Sequence, residues 1–412
     1  MTMTIAALTV AALLGVTTER PEPFTVHEWG TFTSYSGPRE AHVPHRLRIA
    51  EDLPAWVQAR FVGERWMDSD TGDFEKWALT CTQRMETPVI YFHAPQPMEV
   101  SVEVRMPQGL ITEVYPPVSA TLPLTLEKPE IPEKGSMVRW DRVRLEPQPC
   151  CGGLAFKDAG TSHYAEARKV KADIAHVKAA DGEHVERFLF YRGVGNMDLG
   201  VNAVPMGNDR FKVTSTHPGL RATAFAVENW EGSFRFSEYH NVTNGSELAL
   251  RNERPRDVGV FAVGAYASGT PNPDLAMTKE GRTRTELGTA MTQALVDSGL
   301  NQDEAAAMVA TWKHQWFDEE GTRVLMILPQ AVIDSNLPLT ITPTPAKTTR
   351  VFVSRLELLT PERVSWVRNL IAQKPEAPEA KAKVEAELKK LGRFREAAVK
   401  IAEQPFDLSD GC

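Results

Sequence analysis

The chain has 412 residues, with 46 Lys and Arg against 54 Asp and Glu, and its formal net charge is −8. This balance lacks the basic excess typical of nucleic-acid-binding proteins, so no nucleic-acid partner is expected. Hydrophobic residues make up 42% of the chain and charged residues 24%. Such ordinary globular usage excludes general disorder and allows a large buried core, in one large domain or two ordinary ones.

An apolar run of 12 residues, broken only by Thr9, occupies residues 5–16. The run is too short to cross a bilayer as a helix but has the length of a signal-peptide core, so residues 1–18 are predicted to be a signal peptide. Because no Lys or Arg precedes the run, a buried first strand or helix and a membrane anchor remain as alternatives. We expect a periplasmic or secreted mature protein without a transmembrane segment.

The four cysteines are Cys81, Cys150, Cys151 and Cys412. In an oxidising compartment they can pair in three ways. A bridge between adjacent residues strains the peptide that joins them, so a disulfide from Cys81 to Cys150 or Cys151 is preferred. A metal-binding thiol pair at Cys150 and Cys151 is the alternative, although the CxxC spacing is absent.

Residues 19–275 are predicted to form a β-rich domain. Residues 98–106 alternate apolar and polar side chains, as a half-buried strand requires, and a turn at residues 107–109 leads into a second strand at 110–115. Further strands are expected at residues 87–93, 138–145, 186–191, 211–216, 222–229, 234–239, 246–251 and 258–265. Many short strands separated by Pro and Gly favour an antiparallel β-sandwich or jelly-roll-like core.

A helical hairpin is predicted at residues 276–321. Thr283 and Glu286 have the spacing of a capping box, and a second helix is expected to begin at Asn301 with Glu304 three residues later. Residues 322–374 are predicted to return strands to the β core and to end in a short helix that begins at Thr360. The fold class is therefore α+β, mainly β.

The tail, residues 375–412, is rich in Ala, Glu and Lys and carries a narrow apolar stripe. The pattern predicts one long amphipathic C-terminal helix. This helix either packs on the domain or binds a partner.

Among the ten histidines, His27 has the most promising neighbours, since Glu28 and Trp29 follow it directly. Imidazole and carboxylate groups are ligands for divalent transition metals and act as general bases. On a strand, however, His27 and Glu28 point to opposite faces. A structural role for His27 is therefore the alternative to a ligand role.

Two further histidines complete a hypothetical metal set of His27, Glu28, His163 and His314, which folding would have to bring together. His314 lies two residues after Trp312 in the second helix, which favours an exposed position. Tyr164 and Arg168, with Trp29, form a candidate site for a small-molecule or glycan ligand. His42 and His45 are interpreted as part of a solvated loop.

Familiar catalytic signatures are absent from the sequence, among them HExxH, GxSxG, the Walker A loop and the haem-attachment motif. The sequence therefore gives less support to the common classes of hydrolase and nucleotide-dependent enzyme.

Three segments carry a resemblance to a group of uncharacterised exported bacterial proteins. They are HEWGTFTS at residues 27–34, RMETPVIYF at 84–92 and FLFYRGVG at 188–195, with shorter matches at residues 311–317 and 350–361. The resemblance runs over most of the mature chain. It implies export and one integrated fold, and it carries no catalytic residue with it.

Two functions follow as hypotheses. The first is an exported, ligand-binding or envelope-associated β-rich protein, in which the sheet supports loops that hold the ligand. The second is a metal-dependent hydrolase or oxidoreductase that uses a cluster of histidine and carboxylate groups.

Overall fold

The structure is a computed structural model that describes residues 23–46, 57–60, 80–124, 130–147, 163–250, 284–374 and 376–404. The predicted signal peptide, Cys150, Cys151, Cys412 and the strand predicted at residues 258–265 lie outside these ranges. The described chain is α+β with several antiparallel sheets, as the sequence predicts.

A nine-stranded sheet forms the centre of the fold. Strands are numbered in chain order, and across this sheet they run β16 (Ser233–Val242), β15 (Ala222–Trp230), β18 (Gly321–Ile327), β20 (Lys347–Leu358), β1 (Thr25–Ser36), β5 (Gln83–His93), β12 (Leu189–Gly195), β7 (Gly109–Tyr115) and β3 (Gln58–Ala59). β1 and β20 are parallel, with Thr25 opposite Lys347. All other neighbours in this sheet are antiparallel.

A six-stranded sheet packs against one face of the large sheet. It contains β11 (Gly182–Glu186), β10 (Ile174–Ala179), β9 (Ser136–Glu146), β6 (Met98–Met106) and β19 (Leu339–Thr342), with β8 (Ala120–Leu122) also paired to β9. Phe32 and Phe92 of the large sheet share a buried core with Val102 and Trp140 of the smaller one. This sandwich arises because each strand turns alternate apolar side chains toward the other sheet.

Two small sheets make up the rest of the β structure in the described ranges. The first contains β13 (Val201–Gly207), β14 (Arg210–Ser215) and β17 (Glu247–Ala249), and the second contains β2 (His45–Arg46) and β4 (Thr80–Cys81). Cys81 is buried with a free thiol, and burial raises the pKa of this thiol to about 12. The prediction of a disulfide from Cys81 to Cys150 or Cys151 is therefore wrong, since the thiol of Cys81 is free.

The other face of the large sheet carries the predicted helical hairpin. It consists of α1 (Arg284–Asp297) and α2 (Gln302–Lys313), and a π-helical turn, His314–Asp318, follows α2. Leu287, Met291 and Leu295 recur every four residues along α1, so one side of this helix is buried against the sheet and α2. No helix in the described ranges is both long and apolar enough to cross a membrane.

The remaining helices are α3 (Gln330–Asn336), α4 (Pro361–Ala372), α5 (Pro378–Lys389) and α6 (Arg395–Glu403). The prediction of one long C-terminal helix is wrong, because a 3-10 turn at Gly392–Phe394 separates α5 from α6 and Gly392 has a φ of +52°. Leu388 and Ile401 of the predicted apolar stripe pack in a cluster with α4. The stripe thus packs within the chain, although two of its residues, Val384 and Leu391, are only partly buried.

Candidate metal centre

Three side chains that are distant in sequence converge at one end of the large sheet. Nδ1 of His27 donates to Oε2 of Glu304 at 2.7 Å, and Nε2 of His93 donates to Oε1 of the same carboxylate at 2.9 Å. One potential ligand atom from each residue lies within 4.8 Å of the others. Among the described residues, this is the one group of three or more His, Cys, Asp or Glu that meets this distance.

Strand register places the two histidines on the same face. His27 of β1 lies opposite Tyr91 of β5, and Thr25 lies opposite His93. Residues two apart on a strand share a face, so His27 and His93 are diagonal neighbours that both point toward the helical hairpin. Their ring centroids are 5.0 Å apart.

Helix α2 supplies the carboxylate. Glu304 is the third residue of this helix, and its Oε2 also accepts the backbone N–H of Asn301 at 2.8 Å. The sequence predicts this capping interaction, which holds the carboxylate against the strands instead of letting it extend into solvent. Glu304 is fully buried and His27 is 7% exposed.

The carboxylate of Glu304 is ionised at neutral pH. Burial raises its pKa, but the hydrogen bonds from His27 and His93 outweigh this effect and hold the pKa at about 2. For His93, burial lowers the pKa, while the hydrogen bond to Glu304 and nearby negative charges raise it above its ordinary value overall.

Two more carboxylates surround the cluster. Asp173 accepts the backbone N–H of Ala94 at 2.6 Å, and burial raises the pKa of Asp173 to about 6. Asp303 accepts the backbone N–H of Lys171 at 2.7 Å. Both carboxylates contribute to the raised pKa of His93, so the cluster has a negative local field.

The side chains of three predicted metal ligands are described, those of His27, Glu28 and His314. Only His27 belongs to this cluster. Glu28 lies on the opposite face of β1, where it accepts hydrogen bonds from Tyr191 and Arg350, because adjacent strand residues point in opposite directions. His314 is exposed and lies 3.5 Å from Asp318. It follows Glu304 by ten helical residues, which places it roughly 15 Å along the axis. The prediction that Glu28 and His314 bind the same metal ion as His27 is therefore wrong.

His163 and Tyr164 begin a 3-10 turn, His163–Lys169, that packs beside α2. Their side chains lie outside the described part of the structure, so their proposed roles stay predictions.

The other two predicted ligand-binding residues occupy structural positions. Trp29 is fully buried, beneath the helical hairpin. Arg168 forms a forked pair with Glu186, with Nε and Nη2 at 2.9 and 2.7 Å from Oε2. Trp29 is thus engaged in packing and Arg168 in an ion pair, and the ligand site predicted from Trp29, Tyr164 and Arg168 stays a prediction.

His93 and Glu304 were not predicted from the sequence as partners of His27. His93 ends a predicted buried strand, and a histidine at the end of an apolar run is a weak signal for a site. Glu304 fitted its capping role, which explained the residue without a second function.

Comparison with models of known protein families gives no match, and comparison with curated protein sequences gives none either. The function has to be inferred from the chemistry of the cluster itself.

Proposed function

We propose that the protein is an exported metalloprotein that binds a divalent transition-metal ion through His27, His93 and Glu304. The observation that carries this proposal is the convergence of two imidazole nitrogens on the two oxygens of one buried carboxylate. Two histidines and one carboxylate are a recurring ligand set for zinc and for non-haem iron.

The distances suit a metal ion with little rearrangement. Bonds from zinc to histidine nitrogen or carboxylate oxygen are about 2.1 Å long, so two ligands of one ion lie roughly 3 to 4 Å apart. The nitrogen–oxygen distances of 2.7 and 2.9 Å and the overall limit of 4.8 Å bracket this range. Binding would replace the two shared protons by the cation.

Charge supports the proposal as well. Glu304 is ionised and fully buried, and its hydrogen bonds with His27 and His93 offset the cost of burying this anion. Asp173 and Asp303 add negative charge nearby. A divalent cation between His27 and His93 would balance these groups.

Three protein ligands leave coordination positions for water or substrate, which is the pattern of catalytic metal sites. The side chain of His93 is 23% exposed, whereas that of Glu304 is fully buried, so access is from the His93 side. A zinc ion there would support hydrolysis through a metal-bound hydroxide, and a redox-active ion would support an oxidoreductase.

Export enters the proposal through the apolar run at residues 5–16 and the resemblance to exported proteins. An oxidising, extracytoplasmic location is compatible with a centre built from His and Glu, which needs no thiol.

Elemental analysis of the purified protein after incubation with zinc, iron(II) or copper(II) and removal of free ion tests the proposal. We expect about one ion per chain for at least one metal. Glu304→Gln and His93→Gln should each weaken binding by more than about a hundredfold, since even changes beyond the direct ligands cost 10- to 100-fold.

His314→Gln is the matched control, because it removes an exposed histidine outside the cluster and should leave the stoichiometry unchanged. Circular dichroism establishes that each variant is folded. The proposal fails if the wild-type chain retains no ion, or if His314→Gln and His93→Gln lose metal equally.

A further inference from the structure

A second site is indicated by a cleft of about 540 Å³ at the same end of the large sheet. It lies beside β15, β16 and the end of β18, and the loop after α1 borders it. Its polar lining includes Arg221, Thr223, His240, Asn241, Ser298 and Gln330. The residues of the candidate metal centre do not line it.

The side chains that line the cleft are cationic or neutral. Its described lining contains no Asp or Glu, although the chain as a whole carries a net charge of −8. Acidic groups contact the lining from outside it. Oε1 of Glu238 accepts from Nε2 of His240 at 3.2 Å, and Arg350, which also lines the cleft, pairs with Glu28 and, at 2.9 Å, with Asp334. Arg221 is the arginine of this lining that no described carboxylate pairs with, and such a cation attracts anions.

Arg221 is the group best placed to select a ligand. Its side chain is exposed, and none of the described carboxylates forms an ion pair with it. A guanidinium group matches the two oxygens of a carboxylate or phosphate with parallel hydrogen bonds. The cleft volume falls within the range of about 300 to 1,000 Å³ that small-molecule sites occupy.

We infer that this cleft binds a small organic anion, a carboxylate or a phosphate ester, through Arg221 and the surrounding hydroxyl and amide groups. Thr223, Asn241 and Gln330 supply neutral hydrogen-bonding groups around the charge, while Ile327 and Val351 supply an apolar wall for the rest of the molecule. The inference does not depend on metal binding.

Isothermal titration calorimetry of the full chain with citrate and, separately, with inorganic phosphate tests this inference. The two probes distinguish a carboxylate ligand from a phosphate ligand. We expect at least one probe to bind with a dissociation constant below about 10 mM. Arg221→Ala should weaken that binding by about tenfold or more, because it removes a charged hydrogen-bonding partner. Arg221→Lys should retain part of the affinity.

Arg144→Ala provides the control. Arg144 is another half-exposed arginine, but it lies in the six-stranded sheet, so its removal changes the net charge equally without touching the cleft. The inference is overturned if neither probe binds in this range, or if Arg221→Ala and Arg144→Ala weaken binding to the same extent.

Discussion

His45 is a buried titratable residue whose effect on stability has a definite sign. It is 4% exposed, and Nδ1 donates to the carbonyl of Val43 at 3.1 Å. Burial, with the positive charges of Arg393 and Arg84, lowers its pKa to about 4, although the bond to Val43 opposes this shift. The interpretation of this segment as a solvated loop is therefore wrong for His45.

This depressed pKa predicts an acid-sensitive fold. The unfolded chain protonates His45 below about pH 6.5, whereas the folded chain does so only near pH 4, so stability falls between these values by up to roughly 3 kcal/mol. His45→Gln should flatten this part of the profile. Urea unfolding at several pH values, with a chelator present, measures the difference.

The comparison for that experiment is His314→Gln, which alters an exposed imidazole and should keep the wild-type profile. Equal loss of stability in wild type and His45→Gln between pH 6.5 and 4 would contradict the assignment. Glu86 and Glu319 have pKa values of about 2, so their stabilising contributions are lost in a separate window, as the pH falls below about 4.5.

For single residues, the local sequence pattern predicted which face of a strand a side chain occupies but not which residue it contacts. Strand alternation correctly separated His27 from Glu28. The bond from His27 to Glu304, however, joins residues 277 positions apart, and no local periodicity encodes such a distance. His93 was passed over for the same reason.

The loop between α1 and α2 links the two candidate sites. Ser298 lines the anion cleft, Gly299 follows it, and Asn301 begins the turn that positions Glu304. Gly299 has a φ of +112°, and a Cβ atom there would lie 3.1 Å from Cγ2 of Thr349. Thr349 pairs in register with His27 across β20 and β1.

We predict that Gly299→Ala costs about 1 to 3 kcal/mol of folding stability, because alanine is strained at this φ and crowds Thr349. The displaced loop should also weaken metal binding. Denaturant unfolding and metal titration measure the two effects on one preparation.

Gly288→Ala is the control for Gly299→Ala. Gly288 lies within α1, and its added Cβ would meet nothing closer than 3.7 Å, so the change should be neutral or stabilising by up to about 1 kcal/mol. If Gly299→Ala proved as stable as Gly288→Ala, the loop would not be constrained as described.

Element prediction succeeded where one periodicity dominates. The strand at residues 98–106 and the start of α4 at Thr360 agree with the structure, and the hydroxyl of Thr360 caps the helix by accepting from the N–H of Arg363. The prediction of one continuous C-terminal helix failed because the break between α5 and α6 depends on tertiary packing. Phe394 stacks on Tyr35 at a centroid distance of 4.7 Å, which favours the turn over a continuous helix.

Across the whole molecule, a buried ionic network fastens the C-terminal helices to the large sheet. Arg393 donates to Glu86 at 2.9 Å, and Arg355 donates to Glu319 and Glu357 at 2.7 and 2.8 Å. These carboxylates come from β5, from the segment before β18 and from β20. Arg393 thus ties the C-terminal segment to the sheet through a buried ion pair.

We predict that Arg393→Ala destabilises the protein by roughly 3 kcal/mol, because it removes a partner from the buried carboxylate of Glu86. Thermal and urea unfolding should shift as a single transition. Lys390→Ala removes a nearby surface lysine that pairs with Glu231 and Glu387 and should change stability little. A separate early transition for Arg393→Ala would mean that the tail folds independently.

The overall class was predictable, but the strand order was not. Alternation, turn residues and the helical hairpin indicated an α+β fold with a β-sandwich core. The parallel contact between β1 and β20 joins residues 322 positions apart, as from Thr31 to Val353. Such a pairing depends on the competition of all strands for the same edge.

The pairing of β1 with β20 limits how early in synthesis the large sheet can be completed. At a synthesis rate of about 5 to 20 residues per second, β1 waits roughly 15 to 65 seconds before its neighbour β20 is made. Until then β1 has one unsatisfied hydrogen-bonding edge, of the kind that pairs with other chains. A chain interrupted before residue 347 would lack the strand that joins the two halves of the sheet, and we expect it to aggregate or be degraded instead of accumulating as a half-folded species.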